Sequence, residues 1–219
     1  MTRAGLFETM RVEAGVVLRA SAHLTRLEGS AAAYGLPFER ERARAAVHAA
    51  VSAHPRGALL RLRLDLAPDG DLRARAEPFT DDASAAPVRV VLADERVDAD
   101  DPRQRHKSTD RAHYDHAAAW ARSVGVADVV FLNDRGTVAE GAISTVFVRR
   151  LGRLCTPPIG DGALPGVLRA ELLASGEATL GSLVADDLAG ELYLGSALRG
   201  LRRAVLCATA APRTGSAAR

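Results

Sequence analysis

The chain has 219 residues, 47% hydrophobic, 26% charged and 4% aromatic, with a net charge of +2. This composition excludes a disordered, collagen-like or disulfide-stapled chain, and folding at this length buries roughly 70% of the unfolded surface, enough for a core and an internal ligand site. No apolar run approaches the ~18 residues of a membrane span, and the N-terminal MTRAGLFETM lacks the apolar stretch of a signal peptide, so no membrane association and a cytoplasmic location are expected.

In chain order, Gly15 to Arg19 reads as a short strand, Ala22 to Tyr34 as a helix stopped by Gly35, and Phe38 to His54 as a second helix ended at Pro55 and Gly57. Three strands follow at Ala58 to Leu66, Leu72 to Glu77 and Val88 to Ala93. Without strict βαβ repetition, this mixture predicts an α+β fold with a mostly antiparallel sheet. The acidic stretch Asp94 to Asp101 gives way to the basic Arg103 to Lys107 across Pro102. That change predicts a small α+β domain over 1–98 and a second domain over 99–210, with 211–219 as a disordered tail. In the second domain, Thr109 or Asp110 caps a helix running to about Val124. Strands are expected at Val129 to Leu132, Ile143 to Val148, Leu154 to Thr156, Leu192 to Leu194 and Ala204 to Cys207, with one helix starting near Pro165 or Gly166.

The cationic inventory is lopsided: 28 residues are arginine and one, Lys107, is lysine. The arginines are scattered, alternate with leucine in LLRLRLDL and lack interleaved aromatics, so no nucleic-acid binding is expected. Arginine replaces lysine as a surface charge but not as an amine, which makes the surviving lysine a candidate nucleophile. Arg105 and Arg111 flank it and would lower its proton affinity by like-charge repulsion. Glu140, in TVAEGAISTVFV, is either an exposed hairpin residue or an inward carboxylate that needs a positive partner. In GDGALPGVLRAELL, Gly160, Gly162 and Gly166 lead into a helix whose N-terminal amides suit an anion, although neither a Walker loop nor a GxGxxG fingerprint is present. His106, His113 and His116, with Asp110 and Asp115, match no zinc spacing, and no metal site is expected. Cys155 and Cys207 have no CxxC company and read as reduced thiols.

Taken in order, these segments resemble the class IV aminotransferase family, the fold-type IV pyridoxal-phosphate (PLP) enzymes. LFETMRV with HLTRLEGSAAAYG is similar to the family's N-terminal signature, HKSTDRAHYD to its cofactor-lysine segment, and AEGAISTVFV to its E-G/S-x-x-x-N-x-F strand. LCTPPIGDGALPGVLR and LGSALRGL resemble the phosphate-binding stretch and the closing N-S-L-R-G motif. The resemblance implies a two-domain, D-amino-acid-aminotransferase-like fold, with a small α/β sandwich and a larger pseudo-barrel domain that binds the cofactor. It implies PLP as cofactor, Lys107 as its Schiff-base lysine and proton shuttle, and Arg26, the Val167 and Leu168 amides and Ser196 as phosphate ligands. Glu140 would face the pyridine nitrogen.

Within the family, FETMR, TDRAHYD and SALRGL look closest to aminodeoxychorismate lyases. The implied reaction is pyruvate elimination from 4-amino-4-deoxychorismate to give 4-aminobenzoate, in folate biosynthesis. The nearest alternative is an aminotransferase of the branched-chain or D-amino-acid type, and a further one is a catalytically impaired binding protein of the same fold. The substrate is expected to be a small amino compound with carboxylates, for which Arg105, Arg111 and Arg199 are the candidate receptors. The resemblance also implies a homodimer, the cofactor lying between the domains, and a possible chorismate-amination partner. Thr145 stands where the family has asparagine and Gly195 stands before Ser196 where it has another. The chain begins almost at its FET motif, so a trimmed small domain, or one completed by a partner, is expected.

Overall fold

The structure, a computed structural model, describes residues 4–81 and 86–208; the expected tail at 211–219 lies outside them. The described residues form two units, one from 4–81, 106–110 and 197–199 and the other from 86–105, 111–196 and 200–208.

In the first unit a four-stranded antiparallel sheet has the order β2-β1-β3-β4, from β1 (Leu6–Glu13), β2 (Val16–Val17), β3 (Leu60–Leu66) and β4 (Leu72–Pro78). Strand β3 buries Leu60, Leu62, Leu64 and Leu66 and turns Arg61, Arg63 and Asp65 outward, as period-two patterning requires. The leucines meet Leu24 and Leu27 of α1 (Ala20–Tyr34) and Ala43 and Val47 of α2 (Arg40–Ser52) in one core. Strand β1 was not expected, because Glu8 interrupts the apolar face shared by Leu6, Met10 and Val12, yet Glu8 is buried with them. The strand expected at Gly15 to Arg19 shrinks to two residues. Ala14, Gly15 and Arg19 are left-handed, which makes a tight hairpin turn on one side and breaks the strand on the other.

The second unit carries an eight-stranded sheet, β10-β9-β8-β11-β12-β5-β6-β7. Its strands are β5 (Val88–Val97), β6 (Asp128–Asn133), β7 (Val138–Gly141), β8 (Thr145–Arg150), β9 (Arg153–Thr156), β10 (Ala178–Leu180), β11 (Leu192–Ser196) and β12 (Gly200–Leu206). The sheet curls until its two ends approach: the Val138 N–H, on β7, donates to the Leu183 carbonyl just beyond β10 at 2.8 Å. Valines and leucines from both halves fill the interior of this half-barrel. Helix α3 (Ala112–Val124) packs on β6, and α4 (Val167–Ala174) covers Phe147 and Leu154. The expected division at residue 98 is displaced, because β5 pairs in parallel with β6 and β12 and so belongs to the second unit. Helix α3 starts at Ala112, after Arg111, rather than from a cap at Thr109 or Asp110, since residues 107–109 pair with Gly5, Leu6 and Phe7 instead. No helix among the described residues is long and apolar enough to cross a membrane.

Candidate active-site residues

In the first unit, Lys107 is positioned through its backbone. The Phe7 N–H donates to the Lys107 carbonyl at 3.0 Å, Ser108 bridges to Leu6, and the Thr109 N–H donates to Gly5 at 2.9 Å. The Gly5 N–H returns a bond to the Thr109 hydroxyl at 3.0 Å. Residues 107–109 are thus an antiparallel annex on β1, which fixes the direction in which the lysine leaves the chain. Its Nζ lies 4.7 Å from the Phe7 ring centroid, with the Arg63 guanidinium 4.0 Å from the same centroid. An aromatic face stabilises a nearby cation, so Phe7 offsets part of the repulsion between these two charges.

Arg26 leaves α1 beside Glu8. Its Nε and one terminal nitrogen donate to the Glu8 carboxylate at 2.7 and 2.5 Å, and His23 Nδ1 lies 2.7 Å from the same group. Glu8 is 1% exposed. Burial works against its charge, but Arg26 and His23 outweigh burial and lower its pKa to about 2. The fork-on-fork geometry orients the guanidinium. Glu8 was missed in the sequence because a carboxylate there looked like a break in the strand.

In the second unit, Glu140 lies inside β7, only 8% exposed, and accepts the Leu164 N–H at 3.2 Å. The reading as an exposed hairpin residue is excluded. The Tyr114 hydroxyl donates to Gln104 at 2.9 Å. Burial and the neighbouring Glu140 carboxylate hold this phenol well above its usual range, so it stays protonated. From Leu164 the chain runs two residues to Gly166, the N-cap of α4, and the buried Val167 and Leu168 open that helix. Their amides have no intrahelical partner by construction of the helix. Ser196 ends β11, paired with Gly200 of β12. Glu140 and the start of α4 are therefore tied together within one unit.

The loop after Glu140 is gripped from two sides. Buried Asp128, at the head of β6, accepts N–H bonds from Val129 and Ile143 and the hydroxyl of Ser144. On the other side Arg111 donates to the Ala142 carbonyl at 2.5 Å while pairing with Asp115 at 2.9 Å. Gly141 is required here: a Cβ would come within 2.5 Å of Asp128 Oδ2 and 2.7 Å of Ser144 Oγ. Burial raises the Asp128 pKa to about 6 against these donors. The strand expected from Ile143 starts at Thr145, because 142–144 form this clamp.

The three candidate carboxylate receptors are divided between the two units. Arg105 ends a short 3-10 turn, exposed, in the second unit, and Arg111 there holds the loop. Arg199 belongs to the first unit, 4.9 Å from the Phe79 ring centroid. Sequence reading missed Arg11, which approaches the same ring at 5.7 Å and donates to Leu198 O at 3.0 Å. Among the described residues no three His, Cys, Asp or Glu side chains are grouped to hold a metal; His106 Nδ1 lies 3.0 Å from Ser30 Oγ and His113 stacks on Tyr114 at 4.0 Å.

A curled eight-stranded half-barrel together with a small helix-covered antiparallel sheet defines a fold-type IV PLP enzyme. The sequence profile described as "Amino-transferase class IV" matches residues 5–207, and the chain belongs to that family. A solved structure from Mesorhizobium loti, provisionally named an amino-acid aminotransferase, is 38% identical with a TM-score of 0.87, over 93% of this chain and 100% of that one. A Schizosaccharomyces pombe protein provisionally named an aminodeoxychorismate lyase is 29% identical over 199 residues, 86% of this chain and 82% of that protein. A Thermotoga maritima protein provisionally named a branched-chain-amino-acid aminotransferase is 28% identical over 174 residues, 78% of this chain and 63% of that protein. Members of the family are PLP-dependent enzymes acting on small amino substrates, and this chain is one of them.

The second unit's own chemistry fits that cofactor. A buried carboxylate suits a protonated ring nitrogen. The α4 N-terminus suits a phosphate, and Arg169 in its first turn brings a buried cation whose Nε has no hydrogen-bond partner.

Proposed function

We propose that this chain is a PLP-dependent 4-amino-4-deoxychorismate lyase that eliminates pyruvate and leaves 4-aminobenzoate. The observation that carries the PLP part of this reading is Lys107, the single amine-bearing side chain of the sequence, locked by its backbone onto β1. The lyase assignment is supported by the FETMR, TDRAHYD and SALRGL combination and by the similarity to the S. pombe protein.

When bound, PLP supplies an electron sink for the charge left when a substrate C–H bond breaks. Lys107 would hold the cofactor and move a proton at the substrate carbon. Glu140 would keep the ring nitrogen protonated. The Val167 and Leu168 amides, the Ser196 hydroxyl and the Glu8-oriented Arg26 would bind the phosphate. Arg105, Arg111 and Arg199 remain the candidates for the substrate carboxylates, with Arg111 already committed to Ala142 and Asp115. Elimination restores aromaticity in the product ring, which drives the reaction. We also propose a cytoplasmic homodimer, working in folate biosynthesis with a chorismate-amination partner.

The second reading, an amino-acid aminotransferase, is favoured by the 38% identity to the M. loti protein. Borohydride reduction of the PLP-loaded protein followed by peptide mapping is expected to place the label on Lys107, and Lys107→Arg to abolish it. Label elsewhere, or none, sinks the reading and favours a binding protein that has lost catalysis. Pyruvate release from aminodeoxychorismate without an amino acceptor supports the lyase; turnover that requires a keto-acid acceptor supports the aminotransferase.

A further inference from the structure

The N-terminus of α4 carries two features that its role as a turn does not explain. Thr145, the first residue of β8, is 7% exposed, and its hydroxyl makes no hydrogen bond among the described residues. It shares a sheet face with Phe147, which packs under α4. Its Oγ1 lies against the N-cap itself: a Cβ on Gly166 would sit 2.8 Å from it. A hydroxyl that bonds no other protein group and faces the start of a helix is available to donate to an anion seated there. Across the sheet Thr145 faces Gly195, the neighbour of Ser196.

The second feature is Arg169. The residue is 4% exposed; its guanidinium donates to the Pro157 carbonyl at 2.8 Å, leaves Nε without a partner, and forms no ion pair with a carboxylate among the described residues. A buried cation in the first turn of a helix adds to the positive end of the helix dipole, where it is least welcome. An anion seated at the α4 N-terminus would offset the Arg169 charge and place an oxygen within reach of the Thr145 hydroxyl.

We infer that Thr145 is a direct ligand of the bound phosphate group, donating its hydroxyl to a phosphate oxygen at the α4 N-terminus, with Arg169 supplying charge from behind. The inference rests on the reading of this chain as a PLP enzyme and adds to it a ligand where the family's motif has asparagine. Relative to asparagine, threonine keeps a donor but shortens it, and its hydroxyl lies beside the α carbon of Gly166.

The test compares wild type, Thr145→Val and Thr145→Ser in binding of PLP, of pyridoxal without its phosphate, and of inorganic phosphate, read by absorbance titration and thermal shift. A hydrogen bond to a charged acceptor is worth about tenfold or more in affinity. Thr145→Val is expected to weaken PLP by that factor, to leave pyridoxal unchanged and to abolish the thermal shift caused by phosphate. Thr145→Ser should restore all three. Without ligand, Thr145→Val should melt at the same temperature, because the hydroxyl bonds no other group of the protein; a purely structural threonine would lower it. Equal weakening of PLP and pyridoxal, or no weakening of either, overturns the inference while leaving the PLP reading intact. If wild type takes up no PLP, that reading fails and the phosphate arm still decides: a phosphate shift lost in Thr145→Val supports the inference, and no shift in wild type overturns it.

Discussion

Among the described residues, Glu8 in one unit and Asp128 in the other are each 1% exposed, and the two carboxylates are treated in opposite ways. Glu8 in the first unit meets two basic side chains, Arg26 and His23, and its pKa falls to about 2. Asp128 in the second unit meets two backbone N–H groups and the Ser144 hydroxyl directly, and burial lifts its pKa to about 6. Three dipolar donors, with the more distant charge of Arg111, do not repay the desolvation of Asp128, whereas a bidentate guanidinium with His23 does so for Glu8. The difference suits their tasks: Glu8 orients a charged side chain, while Asp128 pins the backbone of a loop.

The comparison breaks first at Glu8. Replacing it by glutamine leaves Arg26 buried against a neutral group, and breaking a buried pair costs about 3 kcal/mol or more, so a large drop in the urea midpoint is expected for Glu8→Gln. The effect at the other carboxylate is reached through Gly141. Gly141→Ala drives a methyl into the Asp128 carboxylate and Ser144, and should cost about 2 kcal/mol by the same measurement, as overpacking of a fixed site does. Asp128→Asn is expected to differ in sign. The amide can still accept from Val129 and Ile143, and the Ser144 hydroxyl can turn to accept from its NH2, so the variant should be about 1 kcal/mol more stable than wild type at pH 8, since no charge is then buried.

Stability against pH separates the two groups further. Glu8 has a lowered folded pKa, so its contribution is complete above the ordinary value of 4.5 and is lost as pH falls from there to about 2. Asp128 has a raised folded pKa, so the folded state retains its proton longer, and stability declines as pH rises from 3.8 to about 6 and is level beyond. In Asp128→Asn the decline between pH 4 and 6 attributable to this group should vanish while the acid limb persists. A variant that keeps the decline would remove Asp128 as its source.

Much of the fold was legible from period and punctuation. The alternating leucines of β3, the glycines that end α1 and α3 and the break after α2 follow from local rules, and the structure keeps them with shifts of one to three residues. What misled the reading were polar residues with tertiary duties. Glu8 disguised β1 because its partners come from α1, and Asp128 looked like the ordinary polar edge of an apolar strand. Residues 107–109 follow the change of charge that marked a domain boundary, yet Lys107 and Thr109 bond through their backbones to Phe7 and Gly5, about a hundred residues earlier in the chain. For the site, motif order supplied Lys107, Arg26, Glu140, Val167, Leu168 and Ser196 as candidates, but not the residues that hold them.

By itself the sequence determined the element types, the family and the presence of a single lysine side chain, because these depend on side-chain identity and short-range spacing. Only the tertiary structure decided that Lys107 is anchored to β1, that Glu140 is buried inside a strand and linked to Leu164, and that Thr145 and Arg169 converge on the start of α4. The physical reason is that burial and partnership belong to pairs of groups far apart in the chain. A carboxylate, a hydroxyl or a guanidinium has no fixed cost until folding decides what surrounds it.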